Sequence, residues 1–325
     1  MMKITRCSSI IILLLGALGI LLFLEMVELP DDTFLLRELN NTGHTPLFGA
    51  LSLLFLALSK LSLGSRRLNS HAHYLLALIA TCLIAGATES VQYFTARDAD
   101  IMDFMRDLAG AVSFLAICWS FDSNCGRVWR KCGNKTILLF RLFGVLLLLT
   151  AFVPLALWGC AYLHRRAAFP QICSFESYWE RRFLEAQDAI LQFVAPPPGW
   201  KAADGDRVAK LTLTPAEYPG VAVVEPYPDW RGYESLGFEV YSELQDTVSL
   251  VIRINDIHHT ESYYDRYNKA IKVAPGVNQF RLSLEDIRTA PREREMDMRN
   301  VSTIVLFALS PTEAFSVYVD DIHLR

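Results

Sequence analysis

The sequence predicts an α-helical membrane bundle of five transmembrane helices followed by an all-β jelly-roll sandwich. Three observations carry that prediction. Residues 8–163 are dominated by Leu, Ile, Ala and Phe, in runs near the about 20 residues that cross a bilayer core. Residues 165–325 alternate apolar and polar positions in short segments bounded by turn residues, the period of half-buried strands. The run Pro196-Pro197-Pro198-Gly199 breaks the chain just before most of those segments begin. The 325 residues carry a net charge of −4, an average over two unlike halves. No basic stripe points to nucleic acid, and no glycine-rich phosphate loop points to a nucleotide.

The predicted spans are residues 8–29, 46–63, 73–94, 101–121 and 136–163. The first has Lys3 and Arg6 before it, the layout of a signal peptide. It reads as an uncleaved helix, because no small-x-small cleavage site follows and residues 21–29 extend the run. The fourth span is the shortest in apolar core and needs the turn holding Asp103 and Asp107 to cross. Basic residues cluster at the N-terminus, at Arg66-Arg67, and at Arg127, Arg130, Lys131 and Lys135; the two remaining loops are acidic. The positive-inside rule then predicts a cytoplasmic N-terminus and, after five crossings, an exported residue 165–325 segment. The expected location is a bacterial inner membrane with a periplasmic or extracytoplasmic C-terminal domain. The expected boundaries are 1–135 for the four-helix membrane domain, 136–171 for the fifth helix and juxtamembrane linker, and 172–325 for the sandwich. Of the seven cysteines only Cys173 falls in the exported part, so no disulfide framework is expected.

Ionisable residues between apolar helices are expensive and by default functional. His44 precedes the second span. Glu89 and Gln92 share one face at the end of the third. Arg97 lies in the short loop that follows, and Asp103, Asp107 and Gly110 recur at i, i+4 and i+7 on the fourth. A short loop makes helices three and four antiparallel neighbours, so these residues meet in one outward-facing layer. Two readings stay open. In one, Arg97, Asp103 and Asp107 form an ion-pair network that locks the helices. In the other, the layer binds an anionic envelope lipid or lipid-linked glycan, with Arg97 on the phosphate and His44 and Glu89 as acid–base candidates, or with Asp103 and Asp107 holding a divalent cation through their oxygens instead.

The pattern His44-x-x-x-Phe48, Glu89-x-x-Gln92-x-Phe94-x-x-Arg97, Asp103-x-x-x-Asp107-x-x-Gly110 resembles the VanZ-like family of small integral membrane proteins, over about residues 30–121. That family usually has a Lys shortly before the His and an Asn where this chain has Asp107; here Asn40 and Asn41 precede His44. The resemblance implies an envelope role and no particular reaction.

In the exported half, strands are predicted at 208–213, 220–224, 236–241, 248–255, 269–273, 279–284, 302–309 and 316–324, with some helical character over 174–194. The segments Asp229-Trp230-Arg231-Gly232-Tyr233, 249–256, Tyr264-Asp265-Arg266-Tyr267-Asn268 and the terminal Val319-Asp320-Asp321-Ile322-His323-Leu324 resemble galactose-binding-like sandwiches of the carbohydrate-binding-module type. Sugars are gripped by flat aromatic faces and planar polar groups. Trp230, Tyr233, Arg253, Asp256, Tyr264, Asp265 and Arg266 are therefore the expected contacts, with Tyr263 and Tyr267 of the same chemistry. No cofactor and no catalytic metal are expected; Asp320 and Asp321 could hold a structural calcium, as in related sandwiches. His258-His259 reads as a solvated pair. The expected partners are membrane lipid and a polysaccharide or lipid-linked glycan. Two functions fit: a glycan-binding envelope protein, or a membrane enzyme cleaving or transferring a phosphate- or sugar-linked group on an envelope lipid carrier.

Overall fold

Apolar runs long enough to cross a bilayer become long helices in the computed structural model, which describes residues 2–26, 30–64, 68–94, 101–122, 125–203 and 205–325. Two compact units divide the chain, Met1–Gly159 and Cys160–Arg325. The first contains α1 (Met2–Met26), α2 (Phe34–Leu63), α3 (Ser70–Phe94), α4 (Ile101–Phe121) and most of α5 (Gly126–Ala168). Among the described residues four helical stretches are long and apolar enough to cross a membrane: Arg6–Leu24, Phe34–Leu63, Ser70–Ser90 and Asn134–Ala168. Helix α4 has 21 residues but carries Asp103, Arg106 and Asp107 in its first two turns, and is not among them.

One boundary differs in a way that matters. Helix α2 starts well before Pro46, because Thr33 caps it by accepting from the Leu36 amide at 3.2 Å. His44 therefore lies inside the helix rather than at its mouth. Helices α2 and α4 run side by side in the same direction: His44 meets Asp107 near one end and Lys60 meets Asp122 near the other. Small residues allow the close approach. A Cβ at Gly110 would overlap the Thr45 carbonyl oxygen, and one at Gly49 would strike the Phe114 ring.

The second unit is a sandwich of two antiparallel sheets. Strands β1 (Gln171–Cys173), β3 (Ala189–Val194), β4 (Val208–Leu213), β6 (Ser235–Ser242), β9 (Gly276–Ser283) and β11 (Phe315–Leu324) form one sheet, ordered β3-β4-β11-β6-β9 with β1 also on β11. Strands β2 (Leu184–Gln187), β5 (Gly220–Val224), β7 (Val248–Asp256), β8 (Tyr267–Val273) and β10 (Val301–Phe307) form the other, ordered β2-β5-β10-β7-β8. The short helices α6 (Tyr178–Arg181) and α7 (Leu284–Arg288) lie in connections. The helical expectation for 174–194 is thus corrected: one turn of helix is followed by two strands. Asp188, at φ 47°, turns the chain from β2 in one sheet to β3 in the other; Asp tolerates that left-handed geometry.

Strand alternation fills the core between the sheets. Leu211, Leu213, Leu236, Leu250 and Ile254 are fully buried, and so is Trp230. A second aromatic cluster lies outside the six-stranded sheet. There Trp200 stacks on Tyr241 with centroids 5.4 Å apart and donates its Nε1–H to Glu239 at 3.1 Å. Within this unit the end of α5 packs on the sandwich: Tyr162 meets Phe183 edge to face, and Tyr162 and Arg165 bond to the side chain and carbonyl of Glu225.

Candidate functional site

In the helical unit the sequence places a polar layer, and the structure assembles its described members. His44 Nδ1 lies 3.0 Å from Asp107 Oδ1, and Asp107 is 1% exposed with its other carboxylate oxygen unpartnered. Asp103 and Glu89 are close enough to act electrostatically on His44. Arg97 and the Gln92 side chain lie outside the described residues. Asp103 instead pairs with Arg106 at 2.5 Å, a cation the sequence reading passed over although it sits one turn away. The arrangement is a buried carboxylate orienting an imidazole, which can hold or move a proton.

A second polar layer, not foreseen, occupies the other end of α2 and α4. Lys60 Nζ and the Tyr74 hydroxyl both donate to Asp122, at 2.6 and 3.0 Å. Ser59 pairs with His73 at 2.7 Å, and Trp119 donates to His71 at 3.0 Å. Every charge here has a partner, the signature of a structural clamp.

In the sandwich, the expected contacts separate by whether their polar groups are already satisfied. Trp230 is corrected from a surface ring to a core one: it is 0% exposed, and its Nε1–H is taken by the Tyr227 carbonyl at 2.8 Å. Tyr233 packs on Phe169 at the core margin, and Tyr267 is buried. Asp256, 1% exposed, and Asp265 are both held by Arg294, at 2.5 Å in each case. Asp256 also accepts the Asp297 and His258 amides, and Asp265 the Thr260 amide and hydroxyl. Burial alone would raise the Asp256 carboxyl, but the Arg294 guanidinium and the Asp297 amide outweigh it and hold the pKa below its ordinary value. Arg294 first, and the Thr260 donors next, bring Asp265 down to about 2. These two aspartates therefore pin the β7–β8 loop. His259 is corrected too: only 7% of its side chain is exposed, and Nδ1 lies 3.2 Å from the Asp265 carbonyl.

Arg253, Arg266 and Tyr264 remain, and they lie together on one side. Alternation sends Leu250, Ile252 and Ile254 of β7 inward and leaves Val251, Arg253 and Asn255 on the outer face of the five-stranded sheet. On that face Arg253 lies 5.8 Å from the Phe307 ring centroid, and Tyr218 meets Phe307 edge to face at 5.9 Å. Arg266 lies 5.7 Å from the Tyr263 ring. Tyr263 packs edge to face on Tyr264, which in turn carries the Arg292 guanidinium at 3.5 Å. This continues the face into a cleft of about 450 Å³ lined by Tyr264, Arg292 and Arg294 together with the acidic Asp265 and Glu293, within the size of small-ligand clefts, about 300–1,000 Å³. Tyr218 and Phe307 escaped the sequence reading. The parity of 302–309 could have found Phe307, which points away from the buried Ile304 and Leu306; Tyr218 sits in a turn with no periodic signal.

Asp320 and Asp321, neighbours on β11, bond to different partners. Asp320 accepts the Ala203 amide at 3.0 Å, while Asp321 is bonded to Gln171 and lies 3.1 Å from His323. Among the described residues no group of three or more His, Cys, Asp or Glu is arranged to hold a metal. Burial pushes the Asp320 carboxyl up to about 7, with Asp321 and Glu239 adding to it against the Ala203 amide. Its folded pKa thus lies above the unfolded value of about 3.9, so this group favours folding most below about pH 4, and that contribution is lost as pH rises to about 7. Asp320→Asn is expected to flatten that slope and to stabilise the protein at pH 8 by about 2–4 kcal/mol. Thermal unfolding at several pH values checks it.

No protein-family model, the VanZ-like one included, and no curated protein matches the chain. Solved structures do resemble its C-terminal half, and they are β-sandwich domains of carbohydrate-active proteins. An exo-beta-agarase aligns at 15% identity and a TM-score of 0.39, over 48% of this chain and 24% of the agarase. A family 11 carbohydrate-binding module from Clostridium thermocellum, solved with a beta-1,3-1,4-mixed-linked tetrasaccharide, aligns at 14% identity and 0.36, over 47% and 93%. A family 30 module of a cellulosomal cellulase from the same organism aligns at 14% and 0.30, over 44% and 86%. The chain therefore spans about a quarter of the agarase and nearly all of the isolated modules.

Proposed function

We propose that this chain is an integral membrane protein of the cell envelope whose exported sandwich binds glycan, and whose outward polar layer handles a lipid-linked or anionic envelope ligand. The observation that carries this reading is the outer face of the five-stranded sheet. It presents two exposed tyrosines, Tyr218 at 49% and Tyr263 at 61%, near Arg253 and Arg266, which have no ion-pair partner among the described residues. Exposed flat rings beside planar donors suit a pyranose. In this reading the membrane is a bacterial inner membrane, the N-terminus is cytoplasmic and the sandwich is periplasmic. The side-by-side run of α2 and α4 supports five crossings. From His44 to Lys60 an α-helix rises about 24 Å, most of a bilayer core of about 30 Å, and α4 accompanies α2 throughout.

The test is retention of the purified full-length protein, in detergent micelles, by a panel of soluble polysaccharides. The double variant Tyr218→Ala/Tyr263→Ala is expected to weaken binding roughly tenfold with an unchanged melting temperature. Equal binding by the variant would remove this face as the site.

A second reading rests on the His44–Asp107 pair. A histidine oriented by a buried carboxylate, with Glu89 nearby, suits a membrane enzyme that cleaves or transfers a phosphate- or sugar-linked group on a lipid carrier. His44→Ala and Glu89→Gln are then expected to abolish any envelope phenotype of the gene at unchanged membrane levels. An intact phenotype in both would sink the enzyme reading.

A further inference from the structure

Arg253 and Arg266 form a cationic pair on the outer sheet face. Among the described residues neither guanidinium has an ion-pair or hydrogen-bond partner, and the Nε atom of each is buried and unpartnered. Other arginines of the sandwich are bonded within the fold: Arg294 is gripped by two aspartates, Arg281 donates to Ser235 at 2.8 Å, and Arg181 and Arg182, whose Nε atoms are also unpartnered, donate through a terminal nitrogen to the Phe175 carbonyl and the Tyr178 hydroxyl. Burial pushes the Arg253 guanidinium pKa down, and the neighbouring charge of Arg266 pushes it further, with Glu261 opposing. The Glu261 side chain is 94% exposed and turned to His259. Asn255, on the same face, has a buried amide oxygen that also lacks a partner.

Two like charges side by side on a partly desolvated surface are unfavourable unless an anion joins them. A guanidinium fork fits a planar or tetrahedral oxyanion through two parallel N–H···O bonds, which a neutral hydroxyl cannot match in strength. Arg253 lies over the Phe307 ring, whose edge meets the exposed Tyr218, and Arg266 lies over the exposed Tyr263, so exposed aromatic rings adjoin the arginine pair.

We infer that the outer face of the five-stranded sheet selects an acidic glycan, one whose rings carry carboxylate or sulfate groups, with the oxyanion held between Arg253 and Arg266. This rests on the glycan-binding reading above and narrows it to a substrate class.

The experiment uses the full-length protein in detergent micelles and three probes: a soluble neutral β-glucan, the same glucan oxidised at C6 to its uronate, and its sulfated form. The expected result is at least roughly tenfold tighter binding of one or both acidic forms than of the neutral one. That preference shrinks as salt is raised from about 0.05 to 0.5 M. Whichever acidic arm binds tighter tells carboxylate from sulfate. Arg253→Gln and Arg266→Gln are each expected to erase most of the preference, and Arg253→Lys to retain part of it. If one variant does not fold, the other decides. Equal affinity of the native protein for neutral and acidic forms would overturn this inference and leave glycan binding standing. Binding to none of the three, or only to vesicles of anionic phospholipid, would overturn the glycan-binding reading and this inference with it.

Discussion

Trp230→Ala is expected to destabilise the sandwich by about 3–5 kcal/mol rather than to weaken a ligand contact. The ring is fully buried against residues of both sheets, and its truncation leaves a cavity that the β-sandwich cannot close by rotating rigid β-branched neighbours. Its indole N–H also anchors the turn at Tyr227, so that carbonyl loses its donor. Against a typical domain stability of about 5–15 kcal/mol, the loss is a large fraction of the whole. Thermal unfolding of the sandwich, followed by near-ultraviolet circular dichroism, measures it. A variant that melts with the native protein yet no longer binds glycan would return Trp230 to the surface.

Arg294→Gln is expected to cost about 3–5 kcal/mol as well, by a different route. It removes the cation from between Asp256 and Asp265 and leaves the fully buried Asp256 as an uncompensated charge. The pH dependence gives this prediction a second, independent reading. Both carboxyls have folded pKa values below their unfolded ones, so the stability they contribute is present above about pH 4 and is lost as pH falls toward about 2. The native protein should therefore lose stability across that interval, and the variant should lose much less. The double variant Asp256→Asn/Arg294→Gln should recover part of the loss at pH 7, since no charge is then left buried. If Arg294→Gln is neutral at pH 7, the loop is not held by this network.

These two positions also show what could be read from sequence and what could not. Hydropathy located the long helices, because a run of apolar residues has few other uses; it misjudged the start of α2, because Pro46 looks like a beginning and the Thr33 cap lies in polar surroundings. Alternation found the eight later strands, β4 to β11. It missed β1 to β3, since β1 has only three residues, and β2 and β3 lie at sheet edges where the alternating pattern is weak. Trp230 looked like a sugar platform because it sits in a Pro-Asp-Trp-Arg-Gly turn, and only the tertiary fold reveals that the turn directs the ring inward. Arg294 lies between α7 and β10 in a stretch without periodicity, so nothing local links it to Asp256 almost forty residues earlier. Helical spacing puts His44 and Asp107 in one layer, and the contact is there; Arg106 gives no comparable signal, because Arg97 already offers a cation in the adjoining loop.

Strand β11 has a further consequence, for the order in which the chain can fold. It is the hub of the six-stranded sheet, flanked by β6 on one side and by β4 and β1 end to end on the other, and it follows all of them in sequence. Until residues 315–324 have been made, the pairs β3–β4 and β6–β9 have no strand to join them, and each keeps an open edge. A chain made N-terminus first thus carries a long unfinished segment and closes it in a single late step. Such pairing over great sequence distance is slow, and unpaired edges recruit other chains. Nascent copies arrested before β11 should be the forms that a holdase chaperone captures and a protease clears, whereas completed ones escape both.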